Sequence, residues 1–249
     1  MDLLRKRTAR LATLVLFAAL VPAVWGCDHK CATAPGTGST PGPAGSAPAL
    51  AGASSFEILG GSTVTNTGVT TTIFGDVGVS PGGSVTGLPA GQPTGGSVHA
   101  ADPAAAAAQA ATTVAYNDLA GRPCNVTMDG VDLGGRTLTG NVYCFSTSAQ
   151  LTGTLTLDGL GNPDAVFVFK IGSTLTTASN AAVLMTGSAQ AKNVFWQVGS
   201  SATLGTNTAF MGNIIALASI TLNTGTTITG RALARTGAVT LDTNAATLP

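Results

Sequence analysis

Charge is the first thing this chain lacks. Only 9% of its 249 residues are Asp, Glu, Lys or Arg, and 11 basic side chains balance 11 acidic ones. No basic patch is available to follow a phosphate backbone, which excludes nucleic acid as a partner. Aromatic residues make up 5%, too few for rings that stack on sugars. Groups for acid–base chemistry are equally sparse: two histidines (His29, His99), one glutamate (Glu57) and ten scattered aspartates. Catalysis is therefore the weakest class of function, and the chain reads as no enzyme. Low charge does not mean disorder here, because disordered chains pair high charge with low hydrophobicity and this one is 44% hydrophobic.

What fills the space is small. Ala (40), Thr (38) and Gly (33) account for 111 of the 249 positions. A chain of this length can bury a core as one large domain or two small ones. Its composition points to β structure with a surface of Thr, Ser, Gly and Ala. Function then has to come from that surface rather than from a pocket of reactive groups.

The N-terminus reads as an address. Arg5, Lys6, Arg7 and Arg10 precede an apolar run, Leu11–Val24, which is shorter than the roughly 20 residues of a membrane span and fits an export signal over residues 1–26. Val24-Trp25-Gly26-Cys27 looks like a bacterial lipobox, with Cys27 as the lipidated residue and a membrane anchor; ordinary signal cleavage nearby, giving a secreted protein, is the alternative because Trp25 is unusual there. Removal of residues 1–26 leaves 7 basic against 10 acidic side chains, a net charge of −3. Residues 27–55, rich in Pro, Gly, Ser, Thr and Ala, read as a flexible tether, with the folded domain at 56–249.

Of the remaining cysteines, Cys124 and Cys144 flank one β-rich segment and would close a loop of about 20 residues, worth roughly 3 kcal/mol by loop entropy; two buried free thiols are the alternative. Cys31 receives no role. Asn125-Val126-Thr127 is a glycosylation sequon by pattern, idle if the export signal is bacterial. Asp158 and Asp164 bracket a Gly/Asn/Pro loop, but two carboxylates fall short of a calcium site. His99 stands alone in a Gly/Pro loop. No metal and no cofactor is expected.

The C-terminal half repeats. The tetrad Thr-Leu-x-Thr begins at Thr174, Thr203, Thr221 and Thr240, the last three 18 and 19 residues apart, each after an apolar run. Ile73-Phe74-Gly75-Asp76, Leu138-Thr139-Gly140-Asn141, Phe210-Met211-Gly212-Asn213 and Ile228-Thr229-Gly230-Arg231 place a glycine where a strand should end at a corner. Three short strands per coil describe a triangular β-solenoid. Leu175, Leu204, Leu222 and Leu241 should stack inside, with Thr174, Thr203, Thr221 and Thr240 stacked outside. The Ala-rich segment at about 102–120, opened by Asp102-Pro103 and closed by Gly121 and Pro123, reads as one helix lying along the solenoid, with Tyr116 and Leu119 in its packing stripe. Phe167, Phe169, Phe195 and Trp196 should fill the core or lie under that helix.

The stretch Asn193–Thr243, together with Asp164–Lys170, Gly75–Gly82 and the helix containing Ala115-Tyr116-Asn117-Asp118, resembles the ice-binding proteins of the DUF3494 type. The likeness extends over about residues 54–248. It implies a right-handed discontinuous β-helix, mainly β with one α-helix alongside, in which N-terminal segments pack beside C-terminal coils. It also implies adsorption to ice through a flat, Thr-rich face by a monomer. Some members carry a Thr-[Ala/Gly]-x-[Thr/Asn] motif there; Thr177-Ala178-Ser179-Asn180 and Thr224-Gly225-Thr226-Thr227 fit it, whereas Thr206-Asn207-Thr208-Ala209 and Thr243-Asn244-Ala245-Ala246 depart from it. The residues expected at ice are thus Thr174, Thr176, Thr177, Ser179, Thr203, Thr206, Thr208, Thr221, Asn223, Thr224, Thr226, Thr240 and Thr243, with the charge of Asp242 beside them. A cell-surface adhesin built on the same solenoid is the competing reading.

Overall fold

A computed structural model describes residues 43–249. The export signal, Cys27, Cys31 and residues 27–42 lie outside the described residues. All strand pairings are parallel and form two sheets, one of seven strands and one of fourteen. The seven-stranded sheet runs in space through Ala149–Leu151, Leu175–Thr177, Ala202–Leu204, Ile220–Leu222, Val239–Leu241, Thr63–Asn66 and Ser84–Thr86. The larger sheet folds into the other two faces of a triangular coil. Ala209–Ala216 and Thr227–Ala234 cross from one of these faces to the other without a break. The sequence places strand ends at Gly212 and Gly230; the strands instead bend through them, with φ of 110° and 153°. A Cβ on Gly230 would lie 1.9 Å from the Gly212 carbonyl oxygen of the coil below, so neither conformation nor space admits a side chain there.

Coil order in space is not chain order. Phe56–Gly60 pairs with Thr227–Ala234 on one side and Asp76–Val79 on the other, while Thr63–Asn66 lies between Val239–Leu241 and Ser84–Thr86. The first coils of the chain are therefore stacked on the last. In-register stacking puts like on like in the interior: Tyr143, Phe169, Trp196 and Phe210 form a continuous column with ring centroids 5.4, 3.9 and 5.0 Å apart. The Trp196 Nε1–H donates to the Met211 carbonyl at 3.1 Å, so this buried indole has its partner.

The helix spans Pro103–Gly121 and is capped by Asp102, whose Oδ1 accepts from the Ala105 amide at 2.8 Å. Its face of Ala108, Ala115, Tyr116 and Leu119 is buried against Leu59, Val168, Phe195, Ile215 and Leu233, the outward side of the larger sheet. Small Ala side chains let the helix approach closely, and Arg235 lies over the Tyr116 ring at 4.5 Å. Residues 43–55, assigned to the tether on composition, join this layer: Ala51–Ala53 form a 3-10 turn, Ala44 and Ala53 are buried, and Arg122 donates to the Ala44 carbonyl at 2.7 Å. Small side chains are what a close fit against an Ala-rich helix requires, and the composition that reads as a linker also serves that fit. Cys124 and Cys144 form a disulfide near the C-terminal end of the helix. His99, which looks solitary in the sequence, has Nδ1 2.7 Å from Asp102 and Nε2 3.8 Å from Asp76. The Ala105 amide and the His99 ring hold the Asp102 carboxyl below the usual carboxylate range. Among the described residues no cluster of three His, Cys, Asp or Glu side chains can hold a metal ion; Asp158 accepts from the Leu160 amide at 2.8 Å in an ordinary turn.

The seam between the first and last coils is polar. Arg231 is buried and donates to the Ser54 carbonyl at 3.2 and 2.6 Å and to Asn213 Oδ1 at 2.8 Å. Glu57, the only glutamate, sits where the pairing of Phe56–Gly60 with Asp76–Val79 slips by one residue. It is fully buried, takes the Phe74 amide on Oε2 at 2.8 Å, and has no partner for Oε1 among the described residues. Burial pushes its pKa up to about 8, against the opposing pull of the Phe74 amide and Arg231. The folded state thus keeps a proton that the unfolded chain releases near 4.5, so stability is full below that pH and declines as pH rises toward 8. Melting temperature followed from pH 5 to 8 should fall in the wild type and flatten in Glu57→Gln; equal slopes in the two would show that Glu57 is already ionised in the fold.

Candidate functional site

Each coil contributes the same tripeptide to the seven-stranded sheet, with a small residue, an apolar residue and a Thr or Gln: Ser148-Ala149-Gln150, Thr174-Leu175-Thr176, Ser201-Ala202-Thr203, Ser219-Ile220-Thr221, Ala238-Val239-Thr240, Thr63-Val64-Thr65 and Ser84-Val85-Thr86. Alternation along a strand points the middle residue inward and the outer two to solvent. The middle residues from 149 to 239, and Val64, are buried. The third residues align coil on coil as Gln150, Thr176, Thr203, Thr221, Thr240, Thr65 and Thr86. At roughly 4.8 Å per step this file is roughly 29 Å long. A second file of Ser148, Thr174, Ser201, Ser219, Ala238, Thr63 and Ser84 runs beside it, roughly 6.6 Å away along the strands. Its members also touch: the Thr174 hydroxyl donates to Ser148 Oγ at 2.8 Å, and Ser219 Oγ accepts from the Ala238 amide at 3.2 Å.

This geometry re-sorts the residues that the sequence nominates. Thr176, Thr203, Thr221 and Thr240 share one file, whereas Thr174 belongs to the next. The tetrad at 174 is therefore two residues out of step with the other three, a shift that keeps every side chain on its proper side and so leaves no trace in the hydrophobic pattern. Leu175 stacks on Ala202 rather than Leu204, and Thr177 occupies the inward position equivalent to Leu204. Ser179, Thr206, Asn223, Thr224 and Thr243 lie at the corner beyond the strands, exposed or half-buried. Thr177, Thr208 and Thr226 are buried and cannot meet an external surface. Thr177 and Thr208 hydroxyls are 2.8 Å apart, Thr177 Oγ1 accepts from the Gly205 amide at 2.8 Å, and Thr208 and Thr226 both donate to the Gly205 carbonyl, at 2.6 and 3.0 Å. These three satisfy backbone groups freed where the coil turns. Asn66, Thr71 and Asn244 extend the same internal column into the next coils.

Thr63, Thr65, Ser84 and Thr86, together with the flanking Ser148, Gln150, Ser201 and Ser219, belong to the face but escape the tetrad pattern. The tripeptide carries the signal for them: Thr-Val-Thr at 63 and Ser-Val-Thr at 84 match Ser-Ile-Thr at 219. The other two faces differ. The helix covers one, and the other mixes Thr154, Thr156, Thr227 and Thr229 with half-exposed Leu184 and Phe74.

A parallel β-solenoid with one covering helix and one regular hydroxyl-and-methyl face is the class this architecture defines. The sequence profile of the family described as Ice-binding-like matches residues 58–247, and the chain belongs to that family. It is 59% identical over 196 residues to an ice-binding protein of Nostoc sp. (strain HG1), covering 78% of this chain and 72% of that one. It is 35% identical over 214 residues to an ice-binding protein of Flavobacterium frigoris (strain PS1), covering 79% and 75%. The crystal structure of an ice binding protein from an Antarctic Biological Consortium superposes with a TM-score of 0.79 at 46% identity, covering 85% of this chain and 94% of that one.

The corner beside the face contains one strained residue. Asn180, Asn207, Gly225 and Thr243 have φ of 60°, 57°, 73° and 55°; Asn and Gly tolerate that region, whereas a β-branched residue does not. Between the two sheets the chain takes five steps from Leu222 to Thr227 but only four from Leu241 to Ala245, although both pairs are in register. In every one of these corners the left-handed residue comes two positions before the next strand, and in the shorter one that residue is Thr243. Thr243→Gly should therefore stabilise the fold by about 1 kcal/mol, a rise in melting temperature of about 2–4 °C; an unchanged or lower value would mean that the hydroxyl contact to Asp242 outweighs the backbone strain.

Proposed function

We propose that the chain binds ice through its seven-stranded face. The observation that carries this is the unbroken, in-register file from Gln150 to Thr86, six of its seven members Thr. Each Thr offers a methyl group that orders neighbouring water and a hydroxyl that holds it, and β-branching restricts χ1. The two spacings of the grid, set by strand stacking and by the pleat, are of the size of the repeats in hexagonal ice. Held rigid by the backbone ladder on both sides, the face loses little entropy when it is incorporated at a crystal surface. The names of the relatives agree with this reading. No bond is made or broken in such adsorption, so the sparse acid–base groups are no obstacle. Adsorbed molecules hold back the growth of the crystal between them and slow recrystallisation.

For location we propose export, with Cys27 lipidated and the domain held outside the membrane by the segment that follows. Pro43 and Ala44 meet Asn125 and Arg122 at the end of the helix, so the described part of the chain enters the domain on the helix-covered side. An anchored copy would attach a cell to ice, whereas a released one would act on ice at a distance.

In purified protein, Thr221→Tyr and Thr65→Tyr should each lower thermal hysteresis by about ten-fold or more, the scale of losing a central contact. Thr227→Tyr, on the neighbouring face, should leave it unchanged, all three with wild-type circular dichroism. Loss only in Thr227→Tyr would move the site to that face. Labelled fatty acid should be incorporated by the full chain expressed in bacteria and not by Cys27→Ser; equal labelling would refute the anchor.

A further inference from the structure

Three outward rows cross the seven strands; Asp242 is the charged side chain within them, and Asp132, paired with Gln150, lies just past the Gln150 end of the first file. Beyond the two Ser/Thr files, a third row lies one residue past the strands, at the corner, and includes Thr152, Ala178, Asn223, Asp242 and Thr67. Asp242 follows Val239–Leu241, the fifth of the seven strands, with neutral Asn223 and Thr67 on either side. We infer that Asp242 sets the edge of the ice contact and limits how strongly this face adsorbs. This rests on the ice reading of the same face.

The carboxylate is held in place. Its Oδ2 accepts from the Thr224 hydroxyl at 2.5 Å and its Oδ1 from the Thr243 hydroxyl at 3.1 Å. The Asp242 amide donates to Asn244 Oδ1 at 2.6 Å, and the short corner fixes Thr243 behind it. The side chain can swing away only by giving up these bonds. Two hydroxyls that would otherwise face the crystal are turned toward the carboxylate instead. The carboxylate also has lone pairs left over, which liquid water satisfies. An ice lattice offers no site for an ion, and stripping water from an ionised carboxylate costs far more than stripping it from an amide or hydroxyl. Liquid water retained around Asp242 therefore separates the third row from the crystal and confines contact to the two files away from the corner. Within the seven strands the limit is local to one side chain, because Asp132 lies beyond them at the Gln150 end.

Asp242→Asn keeps the shape and one acceptor oxygen while removing the charge, and Asp242→Ser removes both charge and bulk. Thermal hysteresis and ice recrystallisation inhibition are compared with wild type at equal concentration, with melting temperature measured on every sample. Asp158→Asn, a carboxylate on the neighbouring face, is the control. The expected result is a rise of about two-fold or more in hysteresis for both Asp242 variants, with Asp158→Asn at the wild-type value. Melting temperature is not expected to track the gain, as it would if the change merely tightened the fold. Unchanged or reduced hysteresis in folded Asp242→Asn and Asp242→Ser, with active wild type, overturns the inference and leaves the ice reading standing. Inactive wild type overturns both, and loss of activity in Thr221→Tyr identifies the first case.

Discussion

Parallel stacking of the backbone is the constraint from which the rest of this molecule follows. Every coil must place its hydrogen-bonding groups over those of its neighbour at roughly 4.8 Å, so residues at equivalent positions share an environment. Inside, this turns scattered hydrophobic residues into columns, of which Tyr143, Phe169, Trp196 and Phe210 are the bulkiest. Outside, the same rule turns single threonines into files. A face of this regularity needs no separate device to build it; it is the external image of the ladder that holds the core together.

The cost of such a ladder is borne at the corners, where backbone groups leave one sheet before reaching the next. Here the protein uses short polar side chains turned inward. Thr177, Thr208 and Thr226 bind backbone groups around Gly205, and Asn244, Thr71 and Asn66 continue the series. A second solution appears at Gly212 and Gly230, where strands bend without ending because two glycines allow the backbones to touch. The corner with Asp242 and Thr243 is the exception, one residue short and strained, and it is also where charge enters an otherwise neutral face.

Joining the ends of the chain posed a different problem. The first coils rest on the last, and the helix spans the seam together with residues 43–55. The Ser54 carbonyl and the buried Arg231, Asn213 and Glu57 form a polar junction there. Arg231 makes three hydrogen bonds to two partners, Ser54 and Asn213, whereas the Glu57 carboxyl has one oxygen unsatisfied among the described residues and keeps its proton. Apolar residues would bury more cheaply, but this junction supplies the hydrogen bonds from Arg231 to the Ser54 carbonyl that tie the first coil to the last.

The amino-acid sequence by itself determined the class of fold, the helix and the kind of surface, while the Cys124–Cys144 bond, nominated with free thiols as the alternative, was decided by the structure. Those properties are local: tripeptide alternation, an Ala run between Asp102 and Gly121, and a shortage of charge are each legible within a few residues. It also carried the family likeness. Tertiary structure decided which threonines face outward together. A slip of two residues preserves every inward and outward position, so the tetrad at 174 gives no internal sign that Thr176, and not Thr174, aligns with Thr203. Nor does the pattern distinguish a Thr that replaces Leu in the core, as at 177, from one on the surface, because a buried Thr can satisfy its hydroxyl on a backbone group or another hydroxyl, as Thr177 does with the Gly205 amide and Thr208. The place of Thr65 beside Thr240, and so of Thr86 beyond it, depends on a contact more than 150 residues apart in the chain, and no local pattern records which coil will lie next to which.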